Sequence, residues 1–367
     1  MSAALAKRRE EARTIFEGRG IPTRRVEEWK YSDLKSALGD AGLGEAAAAT
    51  RIMGLPPGVE ISDLAHPTPP AWISDHAGKL VRNAVSEAAI AFAEGGIALR
   101  VPAGKTITTP LSLELTGQGH VRLLIVLEEG ASLSLFETGD EASPRNAAIE
   151  IVLAEGASLE HVRMARKVPG VQVEEIALKI AANARYNAHF ASFGGKLSRT
   201  ELTISLEGEG AQAHLSGVSV LGDSSHADIT THMIHRKPNT HSTQLFKKVA
   251  AGRGRAVYQG RVTVAKGADG ADSRQTAKAL LLSDTAEADL KPELEIFADD
   301  VKCAHGAAIG DLDADSLFYL RARGIPEAEA RRLLIYAFLD DAVVSIRHDD
   351  VRGMVRTAVA DALGPLL

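Results

Sequence analysis

The chain has 367 residues, 45% apolar and 25% charged, close to globular averages, which excludes a chain that stays disordered and at this length calls for several domains or a solenoid. A formal net charge of -6 without a dense basic run excludes nucleic acid as the main partner. The single cysteine, Cys303, excludes an internal disulfide; with no apolar signal-like stretch at the N-terminus, and LLIYAFL as the longest C-terminal apolar run, the reading is a protein of the cytoplasm with no membrane association.

Residues 2–17 are rich in Ala, Arg and Glu and close on Gly18, Gly20 and Pro22, which predicts a capped surface helix. A second helical piece is expected over residues 27–38, stopped by Gly39. Beyond Gly54, Pro56, Pro57, Pro67, Pro69 and Pro70 predict a linker or extended cover rather than regular elements.

The middle of the chain repeats. LEEGASLSL at residues 127–135 returns 26 residues later as LAEGASLEH at residues 153–161, a period that points to a solenoid. Continuing the register places turn-forming residues at Gly104, Gly130, Gly156, Asn183, Gly210, Asn239 and Gly267, types that tolerate a left-handed backbone and so make plausible corners. Between them lie short alternating stretches such as VRLLIVL, EIALKI and ELTISL, with no room for crossover helices. Stacked strands at constant period predict a mainly β fold, a right-handed parallel β-helix whose stacked Val, Leu and Ile fill the interior, in keeping with only 4% aromatic residues. A β-sandwich would also have short strands, but gives no reason for the regular corners.

From Asp313 the pattern turns helical: one short helix stopped by Gly324, a longer one after Pro326, and a last one over residues 349–363. Three regions follow: a helical region with its Pro-rich linker (1–90), the β-helix (91–311) and a helical tail (312–367). On the long tail helix the apolar residues, including Leu333, Tyr336, Ala337 and Phe338, surround the axis almost completely, so a second face must be covered by the last helix or by a partner protein.

AGKT at residues 103–106 invites a phosphate-loop reading, but the first glycine of that pattern would fall on Leu99, and a strand-like ITTPLSLEL follows where a helix N-terminus is needed. Gly104 is better taken as a corner. His226, His232, His235 and His241 cluster, but on a strand residues three apart face opposite ways, so His232 and His235 make no local metal pair. Arg253, Arg255 and Arg261 read as a solvated face.

Cys303 and His305, by contrast, are two apart and on a strand emerge on one face, where thiolate and imidazole could bind one iron centre. An ammonium at Lys302, if close, would lower the thiol's pKa. One thiolate is too few for a cluster, so such a centre must be shared with a second chain or be transient; the plain alternative is a buried free cysteine beside a satisfied histidine. A carbohydrate-active enzyme on a β-helix, using Asp299, Asp300, Lys302 and His305, is the other class, and the scarcity of aromatic platforms argues against it.

DDVKCAHGAAIG, followed by LFYLRARGI and a helical tail, resembles the C-terminal half of the SufB/SufD scaffold family of the Suf iron–sulfur assembly system, and TRRVEEWKYSDL at residues 23–34 resembles the N-terminal motif of its SufD branch. The resemblance extends through QLFKKVAAGRGRAVYQGRV at residues 244–262. It implies a non-enzymatic scaffold pairing with a SufB-like subunit through the β-helices, with a SufC-like ABC ATPase on the C-terminal helices supplying ATP hydrolysis. It also implies a transient iron–sulfur cluster at the subunit interface, with Cys303 and His305 as ligands or sulfur acceptor, and no permanently bound cofactor. Whether the chain in isolation forms a homodimer, whether a flavin reaches the complex, and what the four clustered histidines do are left open at this level.

Overall fold

A computed structural model describes residues 2–366. The first helix, Ala3–Arg19, starts where the Ser2 hydroxyl accepts a hydrogen bond from the Leu5 N–H and ends at Gly20, whose φ of 65° only glycine adopts without strain. The expected helix over 27–38 is instead two fragments, a 3-10 turn Glu27–Trp29 and a short helix Leu34–Leu38. The break has two causes: Ser32 is drawn to Asp228 on the solenoid, and Asp33 starts a new helix by accepting from the Ser36 N–H at 3.0 Å.

The Pro-rich stretch carries more regular structure than its composition suggests. Strands Ala49–Met53 and Glu60–Asp63 pair antiparallel with Leu111–Thr116 and Ile97–Val101, closing both sheet edges at the first turn of the coil. Helices Ala71–His76 and Ala84–Phe92 follow. The second is buried on every side from Val85 to Phe92, wedged between the first helix and Ala148 and Ala177 of the coil, which is why its sequence shows no polar face.

The body is a parallel β-solenoid of about eight turns, each turn giving one strand to each of two nine-stranded sheets. The sequence repeat is the stacking register itself: Leu127 lies on Leu153, Ser132 on Ser158 and Leu133 on Leu159. Inward-facing Leu, Ile and Val of successive turns, among them Leu123, Ile149, Ile176 and Leu202, form one continuous core.

The corners form a ladder. Gly104, Gly130, Gly156, Asn183, Gly210 and Asn239 all have φ between 55° and 71°. The Gly104 N–H donates to Glu129 at 2.7 Å, Gly130 to Glu155 at 2.9 Å, Gly156 to Ala182 at 2.9 Å and Asn183 to Glu209 at 3.0 Å. AGKT is therefore a corner, with Thr106 bridged to Ser132. One expected corner is corrected: Gly267 has a positive φ, but Gly270 stacks on Asn239 and donates to Asp300 at 2.6 Å, because that turn carries extra residues.

The tail forms helices Ala314–Ala322, Glu327–Val343 and Asp349–Leu363. Ile335, Leu339, Ala342 and Val343 pack on Phe193, Val218, Val220 and Val249 on the outer face of the coil, and Val351, Val355, Val359 and Leu363 complete the same cluster. Truncating Leu339 to Ala would cost about 2–5 kcal/mol. Of the two coverings weighed from the sequence, the last helix is observed, joined by the coil, on one side of the long helix, while Leu333 and Ala337 stay exposed.

Candidate functional site at the open end of the coil

Strand Lys302–Gly310 ends one sheet and pairs only with Asp272–Leu281. Strand Glu287–Ile296 ends the other sheet. Among the described residues no further strand pairs with these last two, although Glu27 reaches Lys291 on the second of them, whereas the first turn is closed by the N-terminal strands. Two free edges with exposed Ile296, Phe297 and Ile309 form an unprotected template for another chain, an arrangement that proteins ordinarily block.

Cys303 and His305 sit on this strand. Cys303 is in register with Ser273 and His305 with Gln275, both buried inward-facing residues, so cysteine and histidine share the inner side of the last rung. Cys303 is half-buried against the end of the core, and His305 is exposed. Lys302 does not activate the thiol: as the next residue on a strand it faces the opposite side. Burial raises the Cys303 pKa, a backbone hydrogen bond from Ser273 lowers it in part, and the Asp272 charge raises it further. A bound cation, rather than Lys302, would have to deprotonate this cysteine.

Beneath the pair the interior becomes polar. One inward column runs Leu133, Leu159, Tyr186, Ala213, Ser242, Ser273, Cys303; its neighbour runs Leu135, His161, Ala188, Leu215, Gln244, Gln275, His305. Ser273 and Ser242 are 2.8 Å apart, Ser242 meets His235 Nε2 at 2.9 Å, and Thr240 meets His235 Nδ1 at 2.8 Å. Gln244 Oε1 accepts from Thr231 at 2.7 Å and from Tyr258 at 3.1 Å. A signal for this floor was present in the sequence: Ser-x-Gln at 242–244 and again at 273–275, followed one turn later by Cys-x-His at 303–305.

The remaining candidates separate. His235 faces inward and is fully buried, His232 faces outward to Thr263 at 2.9 Å, His226 contacts the Ser32 hydroxyl at 3.2 Å, and His241 is exposed. Among the described residues no three His, Cys, Asp or Glu side chains are grouped to hold a metal ion. Arg255 pairs with Asp289 at 2.9 Å, and Arg261 lies loosely near Glu28, Glu293 and Glu295. Asp299 and Asp300 lie in the bend before the last strand and Lys302 faces away from His305, so the set imagined for carbohydrate cleavage does not converge.

On the tail, Leu333 is 44% exposed and Ala337 is exposed, while Tyr336 and Phe338 are half-buried, Phe338 beneath Lys247 at 4.5 Å. Sequence reading missed their neighbours Phe318 and Tyr319, 74% and 57% exposed on a helix with no buried residue. Among the described residues no helix is long and apolar enough to cross a membrane.

Residues 114–338 match the SufBD core domain of the SUF system for FeS cluster assembly, which covers most of the coil and enters the long tail helix. The chain belongs to the SufB/SufD family. It is 32% identical over 262 residues to the iron–sulfur cluster assembly protein SufD of Escherichia coli, covering 70% of this chain and 62% of that one. It is 31% identical to the chloroplastic protein ABCI7 of Arabidopsis thaliana, covering 66% and 52%, and 28% identical to the iron–sulfur cluster assembly protein SufB of Bacillus subtilis, covering 67% and 55%. The chain thus spans roughly half to three-fifths of the length of these SufB/SufD relatives.

Proposed function

We propose that this SufB/SufD-family chain is a non-enzymatic scaffold subunit of the cytoplasm on which an iron–sulfur cluster is assembled at a shared interface. One observation carries the reading: Cys303 and His305 occupy the inner side of an unpaired terminal strand, at the one end of the coil left open among the described residues. A second β-solenoid of the SufB kind would extend the two sheets edge to edge, satisfying the free backbone groups and bringing its own ligands to the pair. Two protein ligands cannot hold a cluster by themselves, which makes the partner a requirement of the chemistry.

The cluster is cargo in this scheme and no resident cofactor is needed. The raised Cys303 thiol suits temporary service: it carries a proton until iron displaces it. An ABC-type ATPase of the SufC kind would dock on the exposed side of the tail around Leu333 and Ala337, with Tyr336 and Phe338 supporting that surface from beneath. The test is the double variant Cys303→Ala, His305→Ala, co-expressed with the partner subunits. It should be recovered with them and yield a complex in which cluster formation is lost. Undiminished cluster formation would overturn the proposal.

A further inference from the structure

The floor beneath Cys303 and His305 contains an unexplained group. Gln275 is 1% exposed; its amide nitrogen lies beside the Tyr258 hydroxyl, and its amide oxygen has no hydrogen-bond partner. A buried amide oxygen left without a donor is costly, and in a native fold it calls for a partner. Its place is also prepared from across the coil. A Cβ on Gly260 would come within 2.0 Å of Gln275 Nε2 and 2.3 Å of the Tyr258 hydroxyl, so the absence of a side chain at 260 makes the bed in which this amide lies. The next rung up the same column is His305.

We propose that Gln275 is a positioning residue for His305, its amide oxygen accepting one ring N–H so that a single tautomer is held and the other ring nitrogen is presented to iron. The inference rests on the scaffold reading for the use made of His305, and on the strand register and the unpaired amide oxygen for the contact. Neighbouring strands lie about 4.8 Å apart, which puts a glutamine amide within reach of an imidazole one rung above. An imidazole that binds a metal through one nitrogen ordinarily donates its other N–H to a carbonyl or carboxylate, which fixes ring orientation; loss of such a partner typically costs about 10–100-fold in affinity or activity. Gln244, one rung below, has its oxygen already committed to Thr231 and Tyr258, so Gln275 is the amide of this column whose acceptor is free.

The experiment reads the tautomer in the full chain, labelled with ¹⁵N-histidine, with His305 assigned through His305→Gln. The native ring should show one dominant tautomer. Gln275→Met, similar in shape but with no acceptor oxygen, should give a mixture, and Gln275→Glu, which keeps an acceptor, should restore one form. Gly260→Ala, which dislodges the amide without removing it, should act like Gln275→Met and serves if that variant does not fold. An unchanged tautomer in Gln275→Met or Gly260→Ala overturns the proposal and assigns the amide to an internal water. In the complex with its partners, Gln275→Met should slow cluster formation at least tenfold, with Gln275→Glu recovering most of it. A shifted tautomer with normal cluster formation would support the positioning role and count against the use of His305 in assembly, so the two ideas fail separately.

Discussion

The guanidinium of Arg199 stacks over the ring of Trp29 at 4.1 Å, clamping the N-terminal segment onto the outer face of the coil. The same guanidinium is buried and paired with Asp228, which also receives the Ser32 hydroxyl, and it reaches Glu201 at 3.0 Å. The Trp-Lys-Tyr-Ser stretch is therefore a latch, in which Ser32 and Trp29 close over a buried ion pair. Asp228→Asn leaves buried Arg199 with Glu201 as its remaining carboxylate partner and is expected to cost about 3 kcal/mol, the low end for a broken buried pair. Trp29→Ala should cost a similar amount through lost packing. Urea unfolding measures both, and a loss under about 1 kcal/mol for Asp228→Asn would show that the latch does not depend on this pair.

The corner ladder makes a graded prediction. At Gly156 a Cβ would meet only Gly130 backbone at 3.8 Å, so Gly156→Ala carries the left-handed strain alone, about 1–2 kcal/mol. At Gly208 a Cβ would lie 1.9 Å from the Ala182 nitrogen, and backbone must move in two turns at once. Gly208→Ala should be clearly the more damaging of the two, and equal unfolding midpoints would contradict the stacking described.

Much of this molecule was legible because one physical rule writes the middle of the chain. A solenoid repeats its register, so LEEGASLSL and LAEGASLEH announced which side chains would lie on which, and Gly or Asn marked where the backbone had to turn left-handed. Elements outside the repeat were less visible. Helix Ala84–Phe92 has no amphipathic period because it is covered on all sides, and the piece expected over 27–38 is broken by contacts from Ser32 to residues nearly two hundred positions away, which no local propensity records. The pairing of Cys303 with His305 followed from strand parity. The open end at which the pair lies, and the unpaired amide oxygen of Gln275 below it, depend on what stacks against the last rung and needed three-dimensional structure.

Acid sensitivity follows from buried imidazoles. Burial pushes His189 down to about 3 and His226 and His235 to about 4, from an ordinary value of 6.5. Each is neutral in the fold but takes up a proton when unfolded below 6.5, so each costs stability as pH falls from 6.5 towards its folded value. Glu175 opposes this: burial, then the charge of Glu201, raises its carboxyl from 4.5 to about 8, so its contribution is lost as pH rises across that interval. Three imidazoles outweigh one carboxyl below 6.5; above 6.5 the carboxyl dominates until Lys248, which burial lowers to about 8, begins to offset it. Stability is expected to peak near pH 6.5, to fall steeply towards pH 4 and gently towards pH 8. Unfolding midpoints across this range test it; Glu175→Gln should flatten the alkaline side, and a native-state midpoint that keeps rising below pH 6 would refute the account.

The two exposed apolar surfaces lie on different parts of the chain and predict separable losses. Phe297, 64% exposed, follows the last strand of one sheet at the open end, while Phe318 and Leu333 lie on the tail helices. A charge placed in either surface is not expected to disturb the fold, since none of the three side chains is buried, and surface changes of this kind usually stay within about 0.5 kcal/mol. The same charge in an interface core would be desolvated without a partner, a penalty large enough to abolish binding. On the proposed function, Phe297→Glu should therefore release the scaffold partner and retain the ATPase, whereas Phe318→Glu with Leu333→Glu should do the reverse. Co-purification of the complex from each variant, scored for which subunits remain, decides the matter: loss of both partners from either variant would mean that the two surfaces serve one assembly step, and loss of neither would move the interfaces elsewhere on the coil.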